Sequence, residues 1–509
     1  MTPLYLCPIL HRVKTFFRFI FLILLLIWPL PAVNAEEPSI ALSLSEAIRL
    51  AIQNNPDIKI ERENIDLQEA NTLSERALFD PSFRLNTKHS VYTSPSFFST
   101  QSLLGGFDEQ RGTEISLGWK KPLSWGGETE IVISQLKSDS GFQSLNPTYQ
   151  ADMTLRWTQP LLKGFGKDIK QSSLVIAQRQ VKIAHQAFRA RVADILLKVI
   201  SLYWELIFQR ENLLVQQDSL KLAQHLLEIN ETKVKLGLMA SIEILVAESL
   251  VASREEAVII AQKGILDTQD QLGVLIGQWE SGLPFSGKII PSDRPVAEAA
   301  DLDPKQLLSL AYQERSEMLA KTLEIENDHT RVSVAQNRLR TALDFIVALG
   351  PTTGVGTKFS DSFDQFISGD AYHWEAGLLW TVPIGNWLAI AAVQKESASQ
   401  RKSKIETERL KLKIQLDVRE GERRVATDFE RIKATRHALA LSKKQLSAAT
   451  ERFHLGLLSS RDFITFQNDV TIAAGHALRA VIDYNKSLGN LERVTGMLLK
   501  KYQIEMGLP

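Results

Sequence analysis

Apolar side chains recur at a strict seven-residue interval through Val192, Val199, Leu206, Leu213, Leu220, Leu227 and Val234. They do so again through Val418, Val425, Ile432, Leu439, Leu446 and Phe453. A period near 3.5 marks helices that wind around neighbours in a left-handed sense. From Val199 onward, an offset of 219 carries the first series onto the second without a gap. The same offset carries Leu236-Gly237-Leu238 onto Leu455-Gly456-Leu457, Ser241 onto Ser460, Leu272 onto Leu491 and Gly277 onto Gly496. Glycine just past the last periodic residue is where a left-handed residue closes a helix. The pattern predicts a duplicated helical hairpin. Residues 168–236 and 388–455 contain no proline, and at 1.5 Å per residue each arm would reach about 100 Å.

Ahead of each hairpin the period drops to two. Met153, Leu155 and Trp157 alternate with Asp152, Thr154, Arg156 and Thr158. Ile115, Leu117 and Trp119 alternate with Glu114, Ser116, Gly118 and Lys120. Trp374, Ala376, Leu378, Trp380 and Val382 alternate with His373, Glu375, Gly377, Leu379 and Thr381. Segments of about ten residues with aromatics near their ends suit strands with one face to lipid and one to water. A half-buried soluble sheet has the same alternation. Four such strands fall in the first half and two in the second, with Gly-, Ser- and Pro-rich residues 93–112, 139–148 and 350–370 as loops. Helical segments Ser45–Leu78 and Pro304–Leu339 come before the strands and match at an offset of 260, so the first strand region holds 41 extra residues. The expected plan is a first repeat over 36–277, a link over 278–303, a second repeat over 304–500 and a tail over 501–509. It makes a mostly α protein with β.

Composition and charge narrow the picture further. Lys+Arg and Asp+Glu both number 59, so no basic excess points to nucleic acid. Arg12, Lys14 and Arg18 lead into the apolar run Phe19 to Leu30 and then Val33-Asn34-Ala35, the layout of a signal peptide over residues 1–35. An uncleaved anchor is the alternative, disfavoured because the run is short for a membrane span. The one cysteine, Cys7, lies inside that segment, leaving the mature chain no thiol for disulfides, zinc or catalysis. No later run is long and apolar enough for a transmembrane helix, so a membrane role requires strands. The nine histidines are scattered, with no HExxH pair, glycine-rich phosphate loop or nucleophile elbow. No catalytic, cofactor or metal-binding residue is expected. The Asn230-Glu231-Thr232 match to a glycosylation acceptor falls in mid-helix and reads as chance.

These parts, in this order, resemble the TolC-like outer-membrane efflux proteins. The likeness rests on Leu42-Ser43-Leu44-Ser45-Glu46-Ala47 with Asn54-Asn55-Pro56, on Trp157-Thr158-Gln159-Pro160-Leu161-Leu162, on Tyr203-Trp204-Glu205-Leu206, and on glycine turns followed by an acid. It implies a homotrimer whose strands share one β-barrel in outer-membrane lipid, continued by a periplasmic α-helical tunnel. It further implies a periplasmic adaptor and an inner-membrane transporter as partners, in drug efflux or type I secretion. The family supplies two strands per half, four per subunit. The extra pair near Thr113–Lys120 and Glu128–Ser138 would either widen the barrel or form an extracellular hairpin.

The family places acids just after the tip turns at a periplasmic constriction. Here Glu243 and Asp462 each stand six residues after the turn glycine. A ring of carboxylates repels anions and attracts cations. An acid in the first turn of a helix also answers its dipole, and Ser459 with Asp462 suits a capping pair. Phe453 and Leu458 stand where some relatives use a tyrosine and an arginine to close the channel. The turns around Gly237, Leu238, Gly456 and Leu457 are apolar for exposed loops, as an adaptor contact would be. Packing against neighbouring hairpins is the alternative. A periplasmic adaptor would have one hairpin between small β-domains, and a coiled-coil surface protein would lack the Trp-bearing strands.

Overall fold

The computed structural model describes residues 39–95, 107–140, 146–277, 288–351, 356–368 and 371–504. The expected signal peptide over residues 1–35 and residues 505–509 lie outside these. The first repeat runs β1 (Ser39–Leu42), α1 (Leu44–Asn54), α2 (Pro56–Ala77), β2 (Ser82–Pro95), β3 (Phe107–Pro122), β4 (Glu128–Ser140), β5 (Thr148–Pro160), α3 (Ser172–Lys235) and α4 (Ile242–Ile276). After β6 (Lys288–Pro291), the second runs α5 (Pro304–Glu314), α6 (Ser316–Arg338), β7 (Ala342–Pro351), α7 (Phe359–Ser368), β8 (Tyr372–Thr381), α8 (Trp387–His454) and α9 (Ser460–Val494). The order of parts matches expectation. Three details do not.

First, each returning arm holds 35 residues, about 50 Å at 1.5 Å per residue. Only the outgoing arms, of 64 and 68 residues, reach about 100 Å. The remaining length of α3 and α8 packs against α2 and α6 instead. Second, each leading helical segment is broken. Proline at 56 pushes Asn55 into the extended region (ψ 124°), and the Asn55 side chain then caps α2 through the amides of Asp57 and Ile58. In the second copy Arg315 takes the same bend (ψ 122°) without a proline. It is buried and held by Glu317 at 3.1 Å and Asp417 at 2.9 Å.

Third, residues read as loop are partly regular. β2 continues to Pro95 and β3 starts at Phe107, because polar strand ends still satisfy each other's backbone groups. Within 350–370 lies α7, whose Phe359, Phe363, Phe366 and Ile367 fall at helical spacing. It rests on β5, and Gln135 of the neighbouring β4 donates to Ser362 at 3.2 Å.

The heptad residues form the cores. Val192, Val199 and Leu206 are buried with Ala51 of α1 and Ile276 of α4. Val418, Val425 and Ile432 are buried with Ala311 of α5 and Tyr484 of α9. Ion pairs then join the two repeats along α3 and α9. Glu205 accepts from Arg479 at 2.7 Å and from Lys486, and Arg493 binds Asp194 at 2.7 Å. Burial opposes the Glu205 charge, yet Lys486 and Arg479 outweigh it and hold its carboxyl below the usual range. The link is strapped on by side chains. The Tyr203 hydroxyl donates to Asp293 at 2.6 Å, and Asn485 exchanges two hydrogen bonds with the Val296 backbone at 2.8 and 3.0 Å.

The four repeated glycines serve two purposes. Gly237 and Gly456 have φ of 71° and 72° and close α3 and α8, with the next amide reaching back to Lys233 and Arg452 at 2.8 and 2.9 Å. Gly277 and Gly496 are also left-handed (φ 68° and 77°), but each seats a returning arm on the end of α1 or α5. A Cβ on Gly277 would lie 2.3 Å from the Asn54 Cβ, and one on Gly496 would lie 2.8 Å from the Glu314 carbonyl carbon. At Gly237 nothing lies within 4 Å. Gly237→Ala should therefore cost only the left-handed penalty of about 1–2 kcal/mol. Gly277→Ala should cost at least twice as much in urea unfolding. Equal losses would contradict the joint.

Candidate functional site

Six strands form one sheet in the order β2-β3-β4-β5-β7-β8, every neighbour antiparallel. Registers run without a bulge, from Ser82 opposite Lys120 to Ala342 opposite Thr381. Side chains alternate across a strand, so these registers sort every position onto one of two faces. One cross-strand row of the first face reads Phe83, Trp119, Ile131, Leu155, Leu349 and Trp374. Leu85, Leu117, Ile133 and Met153 make the row above, and Leu378 and Trp380 extend the face toward the other end. Much of this apolar surface is open, with Phe83 at 75%, Trp374 at 71% and Trp380 at 68% exposure. The opposite face carries Arg84, Asn86, Glu114, Ser116, Glu130, Ser134, Asp152, Thr154, Arg156 and Glu375. Ser82, Arg84, Asn86, Ser116, Lys120 and Glu130 line a hollow on it. An exposed apolar band on one face and a polar hollow on the other suit a wall between lipid and water.

The family model for outer membrane efflux proteins matches residues 47–278. Residues 47–278 thus carry the pattern of the outer membrane efflux protein family. The match covers the first repeat, and the second follows the same plan in the structure. Among solved structures, the chain is similar to the outer-membrane channel OprN at 14% identity, covering 89% of each chain with a TM-score of 0.67. The CmeC outer membrane channel of Campylobacter jejuni matches at 14% identity over 91% of this chain and 90% of that one, TM-score 0.65. The open-state MtrE outer membrane channel of Neisseria gonorrhoeae matches at 15% identity over 89% of each, TM-score 0.61. At such identities these likenesses speak for the fold. No curated protein sequence matches the chain. The partial family match and the shared fold make the chain similar to outer-membrane channel proteins. Among the described residues no helix is long and apolar enough to cross a membrane. Two hairpins beside one sheet also differ from the one-hairpin layout of an adaptor.

At the far end of the helices the two hairpin tips meet. Phe453 is buried, stacks on Phe463 with ring centres 4.7 Å apart, and carries the Lys233 ammonium 4.3 Å from its own centre. It is a core residue of the tip. Leu226, Ala449 and half-buried Leu458 complete this cluster. Asn230, fully buried, donates to the Glu243 carbonyl at 3.1 Å and to the Ser460 hydroxyl at 3.3 Å, tying the two hairpins together. In the sequence Asn230 stands out only as a chance match to a sugar acceptor. A polar residue among heptad leucines was the signal that a buried hydrogen bond was needed.

The two candidate acids differ in their surroundings. Asp462 accepts from the Ser459 hydroxyl at 2.7 Å while its own amide donates back to that oxygen at 3.2 Å, a capping pair at the start of α9. Offset by 219, the place of Ser459 is held by Ala240. Ser241 starts α4 with no side-chain cap, and half-buried Glu243 has no capping partner. The turn leucines 236, 238, 455 and 457 are all exposed, from 66 to 74%. Ser459→Ala should cost about 1 kcal/mol and speed amide exchange in the first turn of α9. Ser241→Ala should stay within about 0.5 kcal/mol. Equal effects on the two first turns would contradict the asymmetry.

Proposed function

We propose that three copies of this chain surround one axis and form a passive exit duct. Substrates would be delivered by an inner-membrane transporter through a periplasmic adaptor, for efflux or type I secretion. One observation carries this reading: a two-faced strand wall and helices of about 100 Å leave the same end of one sheet. Polar faces turned inward continue as a water-filled path, and lipid meets only apolar side chains. In this reading residues 1–35 direct secretion and are removed before insertion, and the repeats 36–277 and 304–500 are joined by 278–303. The exposed turns around Gly237-Leu238 and Gly456-Leu457 are the adaptor's docking surface, because exposed leucines at a tip favour burial against a partner.

The periplasmic constriction is assigned first to Glu243 and second to Asp462. Asp462 is engaged in capping its own helix, whereas Glu243 is left to act on the duct. Three copies of Glu243 would favour cations over anions. Crosslinked trimers in planar bilayers under a salt gradient provide the test. Glu243→Gln should move the reversal potential toward zero, with Asp462→Asn having the smaller effect. The reverse ranking would return the constriction to Asp462, and stable monomers in detergent would contradict the shared duct.

A further inference from the structure

The extra strand pair is built into the wall. β3 bonds to β2 along its length and to β4 over 110–122, and β4 bonds to β5 over 128–138. Neither strand has an unpaired edge of the kind a detached hairpin would leave. Their outward residues Ile115, Leu117, Trp119, Ile131 and Ile133 continue the apolar band of the flanking strands. Water-exposed hairpins have no use for such a face.

The turn between β3 and β4 also lies at the inner end, beside the strand-to-helix junction. Trp125 donates to Gln159 at 2.9 Å, and its carbonyl accepts from Gly166 at 3.1 Å. Gly126 sits at φ 108° so close to Gly164 that a Cβ would meet the Gly164 carbonyl oxygen at 2.5 Å. An extracellular hairpin would have its free ends, and not this docked turn, at that level.

We propose that the sheets of three protomers close an 18-stranded barrel, with β8 of each copy pairing to β2 of the next. The occupant of both open edges is a second copy of this chain. In hydrocarbon an unpaired strand edge is unsupportable, and six strands per protomer make the β8 to β2 contact antiparallel like every other. Barrel diameter grows roughly linearly with strand number, so this barrel is about half as wide again as one of twelve strands. Eighteen strands spaced about 4.8 Å apart and tilted about 40° have a perimeter of roughly 110 Å. A ring of twelve helices, four per protomer at each level, needs roughly 100–120 Å at 8–10 Å spacing. The barrel thus continues the tunnel without narrowing, and the size limit on cargo passes to the hairpin tips.

The inference rests on the trimer of the proposed function. Electron microscopy of the full chain, purified from outer membranes, tests both separately. A threefold particle with 18 strands at the level of Trp157 is expected. A threefold particle with twelve strands and a hairpin outside the wall would overturn the inference alone. A particle without threefold symmetry would overturn the trimer as well.

Discussion

A backbone in hydrocarbon has no water to bond, so every amide and carbonyl at membrane depth needs a partner within the protein. The rest of the structure follows from how this chain meets that demand. Among the described residues the six strands of its sheet pair in unbroken registers, which leaves the outer edges of β2 and β8 open. Unbroken registers in turn keep every side chain on its face. A slip of one residue would turn Arg84, Glu114 and Arg156 toward lipid. The alternation of apolar and polar residues is therefore as much a device for register as for solubility in the bilayer.

Beyond the strands the problem changes from backbone to side chain. A helix of 64 or 68 residues satisfies its own backbone but must bury a stripe somewhere along its whole length. No single partner is long enough. α2 and α6 cover one end, and α4 and α9 the other. The joints between these shorter helices are where the left-handed glycines and the bends at Asn55 and Arg315 fall. Glu205, with Arg479 and Lys486, then fixes the two repeats side by side. Breaking one member of such a partly buried group leaves the others uncompensated, which makes the pairing specific as well as stabilising.

Periodic features were legible in the sequence because geometry imposes them residue by residue. The heptads, the 219 offset, the turn glycines and the two-residue alternation all survive in the structure, including the count of four strands and then two. Features set by a single contact were not legible. The stops at Gly277 and Gly496 were marked by their shared glycines, but nothing periodic shows that these glycines also seat on α1 and α5. The bend at Arg315 comes from ion pairs to Glu317 and distant Asp417, and no local signal marks it. α7 is short enough to hide among Gly and Ser, although Phe359 and Phe363 were spaced for it. At the tip, a one-residue difference between Ala240 and Ser459 decides which acid is occupied in capping, and residue spacing alone treats the two acids alike.

A membrane wall needs lipid on one side of the sheet and water on the other, through the extra strands as well as the others. Cys7 is the only native cysteine, so single cysteines can be placed in turn along β3 from 114 to 119 and exposed, in outer membranes, to a water-soluble thiol reagent. Positions 114, 116 and 118 should react, and 115, 117 and 119 should be protected. Uniform reaction along all six positions would show β3 surrounded by water, and would contradict the membrane wall described here.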